Sequence, residues 1–100
     1  MTEKTPDNIC ELYSGKGVRL SLEVKAGGDG AYLLVEGDTQ SLEFLGNLIL
    51  SQAQFRGDCG FQILPSGAGK AFFSRNDGLG LYIHRVNARG KCDYDGALDE

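Results

Sequence analysis

Apolar and polar residues alternate most clearly near the start of the chain. Across residues 18–25, four apolar side chains alternate with four polar ones: Val18, Leu20, Leu22 and Val24 with Arg19, Ser21, Glu23 and Lys25. A period of two predicts a strand with one buried face. A glycine-rich turn then leads to a second predicted strand over residues 31–36. Its apolar residues fall on both faces, which predicts a central strand covered on both sides.

Residues 39–55 have the spacing of an amphipathic helix, because four apolar residues and one glutamine that suit a single face recur three and four positions apart. These residues are Leu42, Leu45, Leu48, Ile49 and Gln52. Asp38 or Thr39 is placed to accept hydrogen bonds from the first turn as the N-cap. Phe44 and Leu50 extend the apolar surface to a second side of the helix. We therefore expect this side to be covered by strands or to mediate self-association.

Three more strands are predicted after the helix, over residues 59–64, 70–74 and 79–86, with two glycine-containing hairpin turns between them. An extra strand at residues 9–13 could precede the others. The order β-β-α-β-β-β predicts an α+β fold, an antiparallel sheet of about five strands with the helix packed on one face. The 15 glycines suit a chain with many tight turns.

The length of 100 residues fits a single domain. We expect a frayed N-terminus over residues 1–8, a folded core over residues 9–86, and a loosely ordered acidic tail over residues 87–100.

Ten Lys and Arg residues against fourteen Asp and Glu give a net charge of −4. The basic residues are scattered singly, which argues against a nucleic-acid partner. The acidic balance instead favours a basic protein partner. No apolar stretch is long enough for a membrane span or a signal core, so we expect no membrane association and a cytoplasmic location. Cys10, Cys59 and Cys92 lie far apart, which favours three reduced thiols.

Residues 66–70, Ser-Gly-Ala-Gly-Lys, have part of the pattern of a phosphate-binding loop. Leu64 stands where that loop requires glycine, and Ala71 where it requires Ser or Thr, so a hairpin turn is the better interpretation. His84 is the only histidine, so we expect no metal site and no cofactor. A Cys59–His84 nucleophilic pair would be one route to catalysis. A strand histidine on a surface is the favoured alternative, and no enzyme activity is expected.

The richest aromatic and cationic group lies near the end of the last predicted strand. Tyr82, His84 and Arg85 combine the residue types that are frequent in binding hot spots. With Cys59, they are the candidate residues for contact with a partner or ligand.

Residues 35–38, 58–61 and 81–85, with the helix between the first two segments, resemble small bacterial proteins similar to immunity proteins of polymorphic toxin systems. The resemblance covers about residues 18–86. It implies a non-enzymatic module that binds and neutralises a cognate toxin, which would be a basic protein here.

Two alternatives remain open. One is a small-molecule-binding domain or minor enzyme with its pocket between helix and sheet, using Tyr82, His84 and Cys59. The other is a structural homodimer that associates through the second apolar side of the helix or through a strand edge.

Overall fold

The computed structural model describes residues 5–55, 59–75, 78–87 and 90. Its elements, in order, are α1 (Pro6–Tyr13), β1 (Ser21–Gly27), β2 (Gly30–Glu36), α2 (Thr39–Gln54), β3 (Gly60–Ile63), a 3-10 turn (Lys70–Phe72) and β4 (Leu81–His84). The predicted α+β class with antiparallel strands is confirmed. The strands form two two-stranded sheets, β1–β2 and β3–β4, so the single sheet of five strands and its order are not confirmed. The predicted acidic tail lies almost wholly outside the described residues.

The first element is a helix, and the prediction of a strand at residues 9–13 is wrong. The Thr5 hydroxyl accepts a hydrogen bond from the Asn8 N–H at 3.1 Å, which caps the first turn. Pro6 occupies that turn, where its missing N–H costs no hydrogen bond. The capped helix buries Ile9 in the core. Residues 6–8 therefore lie in α1, and Thr5 is its N-cap.

Strands β1 and β2 form a regular hairpin around a two-residue turn at Gly28 and Asp29. The register runs from Ser21 opposite Glu36 to Gly27 opposite Gly30 without interruption. Residues directly opposite each other share a face of the sheet. The observed bounds of β1, β2 and α2 lie within a few residues of the predicted ones.

Leu20, just before β1, joins this hairpin to the second half of the chain. Its N–H donates to the Phe72 carbonyl at 2.9 Å, and its carbonyl accepts from the Ser74 N–H at 2.8 Å. These bonds form a single parallel bridge between Leu20 and Phe73. The predicted strand at residues 70–74 is therefore wrong, because the segment is a 3-10 turn followed by one bridging residue.

The core centres on Phe44 of α2, which is fully buried. Its ring stacks on Phe72 with 4.5 Å between centroids and packs at a tilt against Tyr13 at 5.3 Å. The other buried residues of the cluster are Ile9, Val18, Leu20, Leu22, Leu48, Ile63 and Phe73. A side chain inside this cluster cannot contact a second chain, so the prediction of Phe44 as a self-association residue is wrong.

Helix α2 begins at its N-cap Asp38, one of the two predicted caps. The Asp38 carboxylate accepts from the Ser41 N–H at 2.9 Å. Hydrogen bonds from Ser41 hold the pKa of Asp38 below its usual value. The Ser41 hydroxyl in turn accepts from the Arg19 N–H at 2.8 Å, which fixes the start of the helix beside the entry to β1.

The antiparallel β3–β4 pair directs Phe61, Ile63, Leu81 and Ile83 toward the core and leaves Tyr82 and His84 exposed. This division of faces follows from the alternation of side chains along a strand. Gly80, just before β4, lies so close to β3 that a Cβ there would be 2.7 Å from the Ile63 carbonyl oxygen. A glycine is therefore required at this approach of the two backbones.

Two glycine-to-alanine substitutions test this packing in opposite directions. We expect Gly80→Ala to lower the free energy of unfolding by about 1–3 kcal/mol, because backbone must move to admit the methyl group. At Gly46, inside α2, a Cβ meets nothing within 4 Å. There the same substitution should raise stability by about 0.5–1 kcal/mol. Urea denaturation measures the free energy of unfolding of both variants. Equal changes in the two variants would contradict the close approach of Gly80 to β3.

Candidate functional site

Tyr82 and His84 are brought together on the outer face of the β3–β4 sheet. Their rings are nearly parallel, at 12°, with 5.8 Å between centroids. The Tyr82 ring lies over Gly60, where a Cβ would be 2.6 Å from the phenol oxygen. The absence of a side chain at Gly60 therefore lets the ring lie against the sheet. The pair forms a flat, exposed aromatic surface, not a pocket.

Arg85 is directed elsewhere. Its Nη1 donates to the Gln52 carbonyl at 2.8 Å and also to the Phe55 carbonyl, both at the C-terminal end of α2. A guanidinium in this position satisfies carbonyls that the helix leaves without a partner, and it complements the helix dipole. Arg85 thus secures the helix end, and the predicted binding group of Tyr82, His84 and Arg85 is divided between two tasks.

Cys59 is buried and disulfide-bonded, so the prediction of three reduced thiols is wrong. A disulfide sulfur is not a thiolate, and the proposed Cys59–His84 nucleophile is therefore not present in this state. Cys10 is a free thiol. Burial and the nearby Asp7 carboxylate raise the pKa of this thiol to about 11. Cys92 lies outside the described residues. The cytoplasmic location stays a prediction.

Differential alkylation tests the state of both described cysteines. With iodoacetamide at pH 8, we expect Cys59 to be labelled only after reduction under denaturing conditions. Cys10 should label slowly in the folded protein, because little thiolate exists three pH units below its pKa. Denaturation without reduction should speed the labelling of Cys10 alone. Rapid labelling of Cys59 in the untreated protein would contradict the assignment.

The outer edge of β1 carries an ion-pair network. The Glu23 carboxylate accepts from Arg75 and lies 3.2 Å from the Lys25 ammonium. Hydrogen bonds from Arg75 and, as the second cause, from Lys25 hold the pKa of Glu23 below its usual value. With Leu22, Val24 and Leu79, these residues line an open groove of about 360 Å³. Charged side chains and the adjoining chain segment thus occupy this edge of the hairpin.

Strand β2 is very different, and the prediction of a central, doubly covered strand is wrong. It is an edge strand that exposes apolar side chains on both faces, while Leu34 and Val35 are half-buried and Val35 packs against the core. Leu33 is 50% exposed beside Val24, which is 63% exposed and directly opposite it in the register. Tyr32, on the other face, is 61% exposed. The sequence signal for this surface was the run of apolar residues on both faces, which fits an uncovered edge as well as a covered centre.

Helix α2 also exposes apolar residues opposite its buried face. At 100° per residue, Leu42, Gly46 and Ile49 lie on one side of the helix, with Leu50 beside them. Leu42, Ile49 and Leu50 are 44–55% exposed. Leu42, Gly46, Ile49 and Leu50 form the outer face of α2. Leu50 is therefore accessible, as its predicted role in self-association requires.

In the described part of the chain, no helix has the length and apolar character needed to cross a membrane. Among the same residues, no three or more His, Cys, Asp or Glu side chains are grouped so that they could hold a metal ion.

Comparison with known proteins gives no family to which the chain can be assigned. No protein-family model, no curated protein and no solved structure matches it significantly. The resemblance to immunity proteins therefore stays a prediction.

Proposed function

We propose that this protein is a non-enzymatic protein-binding module, and that the β1–β2 hairpin is its principal contact surface. The observation that carries the proposal is the register pair of Val24 and Leu33, both at least half exposed and directly opposite each other. With Tyr32 on the reverse face, they place apolar surface on both sides of one strand. Contiguous exposed apolar surface is characteristic of protein interaction sites.

The charge of the chain supports a basic partner. The net charge of −4 would favour encounter with a positively charged protein through long-range attraction. An immunity protein that neutralises a basic toxin is the specific form of this function that the sequence resemblance suggests. Cys59 in a disulfide would allow such a module to work in an oxidising compartment.

Affinity capture with two matched variants tests the proposal. Leu33 and Leu50 are similarly exposed leucines on different elements, so Leu33→Lys and Leu50→Lys make the same chemical change at two places. With lysate of the source organism, we expect the wild type and Leu50→Lys to enrich the same specific protein. Leu33→Lys should enrich it at least ten-fold less, because a cation replaces apolar contact area and repels a basic partner.

Circular dichroism of each variant first establishes that the fold is intact. For the immunity function, the captured protein should be toxic when expressed alone and harmless when co-expressed with the wild type. Recovery of no specific protein, or equal recovery by Leu33→Lys and the wild type, would count against the proposal.

A second candidate function, a structural homodimer, is favoured by the outer face of α2. The helix has one charged residue, Glu43, so little charge repulsion opposes the packing of two copies. An antiparallel crossing at Gly46 would place Leu42 of one copy beside Leu50 of the other. Gly46 at the crossing point would let the two backbones approach closely.

Light scattering coupled to gel filtration measures this second function independently of the first. A homodimer of this kind should have about twice the chain mass of 10.8 kDa and become monomeric in Leu50→Lys. Leu33→Lys should leave the mass unchanged. A monomeric wild type at 0.1 mM would exclude the homodimer and leave the binding-module proposal intact.

A further inference from the structure

The backbone of β2 has one side that is not used within the fold. Leu20 and Leu22 direct their backbone groups away from β2, because they bond to Phe72, Ser74 and Leu79. In an antiparallel pair, successive residues alternate between bonding to the partner strand and pointing away from it. Ser21, Glu23, Lys25 and Gly27 therefore bond to β2, and their partners are its even-numbered residues.

It follows that Ala31, Leu33 and Val35 point their N–H and C=O groups away from β1. In the part of the chain that the structure describes, no hydrogen bond uses these six groups. These six groups form the free edge of β2. The groups alternate along a straight strand and have the spacing that another strand requires.

The free edge also lacks the features by which proteins usually protect a strand edge. Such features are an inward or flanking lysine, a proline, a bulge or a covering segment. Strand β2, Gly-Ala-Tyr-Leu-Leu-Val-Glu, contains no lysine or proline and pairs with β1 over all seven residues without a bulge. The opposite edge of the same hairpin is protected by the Glu23–Arg75–Lys25 network and by Leu79.

Side chains on both faces of β2 specify what an added strand would contact. Leu33 and Val24 provide exposed apolar surface on one face, where the neighbouring Val35 packs against the core. Tyr32 and the half-buried Leu34 provide it on the other face. Cross-strand neighbours contribute most when aromatic and β-branched residues meet. A complementary strand would therefore have apolar side chains on both of its faces over about five residues.

Charges at the two ends of β2 decide between a second copy and a different partner. Asp29 lies in the turn at one end, and Glu36 ends the strand at the other. In a symmetric antiparallel pairing centred on Leu33, Asp29 of one copy would lie beside Glu36 of the other, which is a repulsive contact. Lysine or arginine on both sides of an apolar segment would instead be attracted at both ends.

We propose that the free edge of β2 binds an extended apolar segment of a partner protein, flanked on both sides by lysine or arginine, as a third strand. The proposal rests on the protein-binding function above and specifies the chemistry of the partner. Main-chain hydrogen bonds to Ala31, Leu33 and Val35 hold the segment in register. Its alternate side chains contact the apolar side chains on the two faces of β2. Its flanking cations contact Asp29 and Glu36.

Two synthetic peptides test the proposal directly. Each has five alternating valine and isoleucine residues, flanked by two lysines on each side in the first and by two glutamates in the second. We expect the lysine peptide to bind saturably in a fluorescence titration, and the glutamate peptide to bind at least ten-fold more weakly. In NMR spectra, the amide signals of Ala31, Leu33 and Val35 should shift most.

A proline substitution removes one donor of the free edge without removing a hydrogen bond of the hairpin. The Leu33 N–H points away from β1, so Leu33→Pro should keep the fold, since proline is accepted at this position of an edge strand. The substitution should weaken binding of the lysine peptide at least ten-fold. If Leu33→Pro does not fold, Ala31→Pro makes the same test nearer the turn. Leu50→Lys, on the outer face of α2, is the control, and we expect its affinity for the lysine peptide to be unchanged.

Three results would overturn strand addition: equal binding of the two peptides, full binding by the proline variant, or concentration-dependent shifts of the β2 amides without peptide, which would mean a second copy. Failure of both peptides, while capture of a protein still requires Leu33, would refute strand addition and leave the protein-binding function standing. Failure of both peptides and of capture would refute both.

Discussion

The backbone bridge at Leu20 is the constraint on which the arrangement of the two halves depends. Its N–H and carbonyl both bond to the 72–74 segment, and its side chain is fully buried in the core. Because the direction of backbone groups alternates along a strand, this one residue determines which residues of β1 face β2. It thereby determines that Ala31, Leu33 and Val35 form the outward side of β2. The bridge that closes the core thus also sets the orientation of the unused edge.

The distribution of apolar residues in α2 shows that burial is only part of what the sequence specifies. Three of its five buried side chains are polar, namely Ser41, Ser51 and Gln52, while Leu42 and Ile49 are exposed on the opposite side. Ser41 and Ser51 make local hydrogen bonds that help to position the helix. A chain under selection for its core alone would gain by exchanging these faces. The exposed Leu42 and Ile49 belong to the face that the proposed homodimer would cover.

Sequence periodicity predicted the elements whose pattern arises from local geometry. The alternation through Leu22 and Val24 located β1, and the spacing of three and four through Leu48 located α2. The errors occurred where the same pattern has two structural explanations. Apolar residues on both faces of β2 fit a covered centre or an uncovered edge, and only the long-range bridge at Leu20 distinguishes them. The Thr5 cap and Pro6 were a local signal for α1 that the strand prediction overlooked.

The candidate site was predictable only in part. Tyr82 and His84 do lie together, because alternate residues of a strand share a face. Arg85 and Cys59 were predicted as binding residues, but the structure assigns them to a helix end and a disulfide. Both depend on contacts between residues distant in the sequence, which composition and spacing do not encode. The free edge of β2 was missed for the same reason, since it is defined by which backbone groups other elements use.

The two edges of the β1–β2 hairpin provide an internal comparison for the proposed binding mode. Both belong to one small sheet and experience the same solvent, so general properties of hairpins apply equally to each. Glu23, Lys25 and Arg75 are concentrated at the β1 edge, whereas β2 has no charge between Asp29 and Glu36. An unprotected strand edge favours unwanted pairing and aggregation. Its retention beside a protected one is explained if the cost is offset by binding a strand whose charges complement those two carboxylates.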